Sequence, residues 1–189
     1  MKKIYLSILS LSMVSIATAQ TTNETSVGKN QSPVINSSVK PTTIASEKAV
    51  LWGPNSMGVS SEWSFTDNST SVSGDNWIIG TGVPAGASPI PGITSTTAND
   101  GFALFDSDAL CSGDQNADVY FYTPIDLTGQ MGVAIEFESY YRAYQGACYV
   151  IASTDGINWT EVQVHSSLAV NTSSGNPEII TANVSSIVF

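Results

Sequence analysis

Positive charge is what this chain lacks most. From Trp52 to Tyr141 there is no lysine, arginine or histidine, and after Ala49 the only fixed cation is Arg142. The chain has 16 acidic residues; taking away Glu24 and Glu47 leaves 14 from position 49 onward. A field this negative repels phosphate backbones and anionic lipid headgroups, so nucleic acid is excluded as a partner. Histidine is almost missing as well, with His165 the single one. Nucleophilic serine or cysteine catalysis usually needs a histidine oriented by a third group, and no nucleophile-elbow, zincin or phosphate-loop motif occurs. His165 therefore reads as a surface or hydrogen-bonded side chain. Long apolar runs are absent beyond position 19, so no later stretch can insert in a membrane. No segment keeps helical apolar spacing over three turns either.

The chain does have a leader-like start. Residues 1–19 carry Lys2 and Lys3, then a mainly apolar segment, then Ala17, Thr18 and Ala19, the order of a secretory signal peptide. This places the protein outside the cell or on its surface. Residues 20–47 are rich in Ser, Thr and Asn, bury little and read as a linker. Residues 48–189 are long enough for one domain with a real core. Cys111 and Cys148 are the only cysteines. An exported compartment permits a disulfide between them, the alternative being two separate thiols. Seven Asn-x-Ser/Thr triplets follow from the composition and carry no further meaning.

Within the domain, short apolar or alternating runs recur with Gly, Pro, Asn or Asp between them. They lie near residues 49–52, 62–66, 76–79, 101–105, 119–122, 132–141, 147–153, 159–165 and 177–184. Val133, Ile135 and Phe137 alternate with Ala134, Glu136 and Glu138, the signature of a half-buried strand. The segment holding Pro84, Pro89 and Pro91 is too proline-rich for a central strand, and Pro124 is expected to stop the run before it. Many short strands with turn-rich links predict an all-β fold, an antiparallel β-sandwich of jelly-roll type.

Three groups of residues carry possible chemistry. Asp106 and Asp108, if extended, project to one side roughly 7 Å apart. Asp100, Asp114 and Asp118 flank them, with no cation in reach along the chain. Either these are ordinary turn carboxylates, or a metal supplies the counter-charge. Calcium suits the second reading, because it accepts several carboxylate and carbonyl oxygens in flexible geometry. Tyr140, Tyr141, Arg142 and Tyr144 combine flat aromatic faces with a guanidinium. That mixture suits recognition of a glycan or a cell-surface protein, or else it covers the core. Glu136 and Glu138 are the one carboxylate pair a glycoside hydrolase could use, and an ordinary solvent-facing pair explains them more cheaply. Residues 153–159 resemble the Asp-box hairpin of sialidase-type propellers. The motif occurs once, so it reads as a structural turn built on Asp155-Gly156 with Trp159 folded over it.

Residues 49–52, Trp63, Trp77 with residues 78–81, residues 102–108, Tyr140-Tyr141-Arg142 and the 153–159 hairpin together resemble one family. It is the MAM-like jelly-roll domain of large exported proteins from bacteria with type IX secretion. The resemblance implies a non-catalytic module, carried as one monomeric unit of a longer chain beside adhesive repeats or a peptidase. A purely structural spacer is the plainest version of that role. The chain departs from the pattern at residues 53–58, where the family has an acidic-aromatic segment. It departs again at its apolar last residues, 186–189, where further strands are expected; this reads as an open sheet edge lacking its closing strand.

Overall fold

In the computed structural model, the residues described are 3–8, 16–19, 49–70, 74, 76–110 and 113–189. The protein is all-β. In chain order the strands are β1 (Lys3–Ile8), β2 (Ile16–Ala19), β3 (Ala49–Val50), β4 (Trp63–Asp67), β5 (Ile78–Gly80) and β6 (Phe102–Leu104). They continue with β7 (Ala117–Asp126), β8 (Val133–Ser139), β9 (Cys148–Ser153), β10 (Thr160–Val164) and β11 (Glu178–Asn183). Two α-helical turns, α1 (Ser107–Leu110) and α2 (Ser185–Val188), and one 3-10 turn at Ser60–Glu62 interrupt the pattern. One sheet has the order β10-β9-β1-β7-β4, a second β11-β8-β2-β3, and β5 pairs with β6 alone. Every pairing is antiparallel.

One apolar cluster joins both large sheets. Val119, Phe121, Val150 and Ala152 enter it from the first sheet, and Val133, Ile135, Phe137 and Ala182 from the second. Trp63 packs its ring at 5.5 Å from Phe121, and Trp52 lies 4.6 Å from the same ring. The departing segment at residues 53–58 adds Met57, which is fully buried. It can approach because Gly58 lies against the Asp100 carbonyl, where a side chain at position 58 would overlap that oxygen.

Three expectations change. β7 does not stop before Pro124 but continues to Asp126. The register with β1 shifts there, and β4 pairs only as far as Phe121, so the missing N–H of Pro124 breaks no ladder bond with β4. On β8, alternation holds through Phe137 and then lapses, with Glu138 and Ser139 both buried. Glu138 is thus not solvent-facing: its Oε2 accepts bonds from Thr96 N at 2.7 Å and Thr96 Oγ1 at 2.8 Å. The last residues are no open sheet edge, because α2 turns back and buries Val188. Ser185 Oγ anchors that turn on Val133 N at 2.9 Å, leaving only Phe189 exposed among the final apolar residues. Within the stretch read as a leader, residues 3–8 and 16–19 take places in the two sheets as β1 and β2. The linker, residues 20–47, lies outside the described residues, as does Cys111.

Candidate functional site

Asp106 and Asp108 do not extend together from a strand. β6 ends at Leu104 and the chain coils at once into α1. Both carboxylates instead hold one loop. Asp106 Oδ2 accepts from Ala85 N at 2.6 Å and Gly86 N at 3.1 Å, and Asp108 Oδ2 accepts from Ser88 N. Gly86 is essential to this latch, because a Cβ there would stand 2.5 Å from the Asp108 Cβ. Backbone amides thus supply part of the counter-charge for which no lysine or arginine is at hand. The other aspartates go elsewhere. Asp118 accepts from Asn68 Nδ2 and Asp114 from Thr70 Oγ1, each at 2.9 Å. Burial raises the Asp118 pKa, the Asn68 bond opposes this, and Glu161 adds to it. Asp100 is exposed beside Gly58. Among the described residues no group of three or more His, Cys, Asp or Glu is placed to hold a metal.

The aromatic stretch is braced by a second loop. Ser174 N donates to Tyr141 O, Ala143 N to Thr172 O and Asn171 N to Ala143 O, all within 2.9 Å. Arg142 forms a bridge with Ser173 in the same pairing. Tyr141 turns inward: its ring stacks on His165 at 5.2 Å and its hydroxyl donates to Gly146 O at 3.0 Å. Its pKa is raised by burial first, then by Cys148 and Tyr149. Arg142 and Tyr144 are exposed and Tyr140 half-buried, so the four residues divide into one support and three presented groups.

Sequence reasoning missed the feature beneath them. Ser139 Oγ lies 2.8 Å from His165 Nε2, and His165 Nδ1 lies 3.4 Å from Glu178 Oε2. The residue types match an acyl-transfer triad, but Ser139 is fully buried and the His165 side chain is 1% exposed. No substrate carbonyl reaches that hydroxyl unless the loops above move. As it stands, the relay ties the end of β8 to β10 and β11 under Tyr141. Desolvation lowers the His165 pKa, and Glu178 partly opposes this. The signal was available: Ser139 continues the inward series of Val133, Ile135 and Phe137, and a buried hydroxyl needs a partner.

The turn of the 153–159 hairpin is built on Asp155-Gly156, as its sequence implied. Asp155 Oδ1 accepts from Ile157 N at 2.8 Å and Asn158 N at 2.7 Å, and Gly156 takes φ 73°. Those bonds, with Asn158 Nδ2 and Ser153 Oγ, hold its carboxyl far below the usual range. Trp159 packs on Tyr120, with ring centroids 6.0 Å apart.

No family model, curated protein or solved structure matches the chain. No helix among the described residues is long and apolar enough to cross a membrane.

Proposed function

We propose that this protein is an exported, non-catalytic binding module: a jelly-roll β-sandwich of the MAM-like kind, acting in adhesion outside the cell or on its surface. The observation that supports this reading best is the braced pair of loops at residues 140–146 and 171–174. It presents Tyr144, Arg142 and Tyr140 outward from the end of β8, while Tyr141 anchors them to a buried histidine. A planar cation beside aromatic faces suits a glycan or a polar protein surface, since sugars stack on rings and hydroxyls accept from guanidinium. Calcium, if bound, would draw on Asp106 and Asp108 and must compete with the amides of residues 85–88. The glycoside hydrolase alternative loses support from Glu138, whose carboxylate already holds the loop at Thr96.

The test is a glycan and surface-protein binding screen with the wild-type protein, Arg142→Ala and Tyr144→Ala. A ligand retained by wild type should lose about tenfold or more in affinity with either variant, on the scale of an interface anchor. Their melting curves should stay unchanged, because both side chains are exposed. Binding that survives both substitutions refutes this face. Absence of any ligand favours a spacer, and glycan cleavage lost in Glu136→Gln would replace the reading with an enzyme.

A further inference from the structure

β7 and β9 never touch through hydrogen bonds: residues 3–8 stand between them as β1, antiparallel to both. The two flanking strands are therefore parallel to each other and about 9.5 Å apart, two strand spacings, too far to bond directly. The register defines what fits. Ile4 lies opposite Ile125, Leu6 opposite Phe121 and Ala152, and Ile8 opposite Val119 and Val150. Those five neighbours are all buried. Lys3 lies opposite the exposed Asp126 at one end. The slot thus accepts an extended segment with aliphatic residues at three alternate positions and a cation at its start.

We propose that once export removes residues 1–19, this slot becomes an acceptor for an extended strand donated by a second polypeptide of that pattern. The inference rests on reading those residues as a leader. Emptying the slot leaves ladder groups of β7 and β9 without partners and opens the core between them, a state that binding of any matching strand relieves. The remaining chain has no evident substitute. Every other described strand already holds a place in a sheet or is only two residues long, like β3. Residues 20–48 contain no three apolar residues at alternate positions. The acidic domain also favours a donor carrying positive charge, as Lys2 and Lys3 do.

The experiment uses the full chain with a protease site introduced within residues 20–48, cut after folding. The N-terminal piece should stay bound through gel filtration. A labelled synthetic peptide of residues 1–19 should exchange into its place, whereas the same peptide with Leu6→Asp and Ile8→Asp should not. Stripping the piece should cost the amides of Val119 and Phe121 on β7, and of Ile151 and Ser153 on β9, their hydrogen-exchange protection, and adding peptide should restore it. A stripped protein that remains monomeric with those amides protected overturns the proposal. So does one that closes the slot by forming a stable dimer that refuses peptide. N-terminal sequencing of exported protein separates the premise: a start near Gln20 supports it. An intact Met1 refutes leader removal, and with it donation in trans, whatever the peptide does.

Discussion

His165 adopts a left-handed backbone (φ 56°) and buries a titratable ring against Ser139, Tyr141 and Glu178. Its folded pKa lies below the ordinary 6.5, so at neutral pH both folded and unfolded chains carry it uncharged. Below that value the unfolded chain binds a proton that the folded one resists, and stability falls as pH drops through the histidine range. The carboxylates with shifted values act lower. Asp155, held ionised by its turn, contributes stability above the carboxylate range that is lost in acid, while Asp118 shifts the other way. Urea denaturation at pH 7.5 and 5.5 should therefore show a loss that His165→Asn removes, since asparagine tolerates the same backbone. At pH 7.5 that variant should be destabilised by roughly 1–3 kcal/mol, because the buried Ser139 hydroxyl loses its partner. An undiminished pH slope in the variant assigns the effect elsewhere.

At the scale of elements, the latch at α1 decides how the long loop before β6 is held. Three amides of residues 85–88 point at two carboxylates, and Gly86 fits only because it has no side chain. Gly86→Ala should lower stability by about 1–3 kcal/mol, the usual cost of overpacking. Calcium gives the complementary measurement. If Asp106 and Asp108 take the ion, millimolar calcium should raise the melting temperature of metal-stripped protein, and magnesium much less. The control is sodium chloride at matched ionic strength, because a chain of net charge −10 gains stability from screening alone. A rise no larger than this control, or one unchanged in Asp106→Asn with Asp108→Asn, leaves the aspartates as acceptors for the loop. The sequence exposed the carboxylates but not this arrangement, because their donors come from twenty residues upstream.

Across the whole molecule, the two cysteines are the remaining covalent option. Cys148 is buried at the start of β9. Joining it to Cys111 would close a loop worth about 4 kcal/mol in the chain-entropy model. In exported protein, thiol labelling after unfolding without reductant should find no reactive cysteine, and reduction should lower the melting temperature. Two reactive thiols would rule out the bridge. Core composition follows the same large-scale logic. Trp63, Trp77 and Met57 belong to a core shared by two sheets, and short strands become stable only through that shared burial.

The sequence by itself determined the approximate positions of the strands from β3 onward, the β-rich class, the Asp155 turn and the one-sided charge. Each is local: alternation, turn chemistry and composition are written within a few neighbouring residues. Tertiary structure alone decided that Glu138 would be buried, since the loop covering it comes from Thr96. It also joined Ser139 to His165 across 26 positions and put residues 3–8 between β7 and β9. Such pairings depend on which distant segment completes a sheet or a hydrogen bond, and a strand's own pattern specifies the face it buries but not the neighbour it meets.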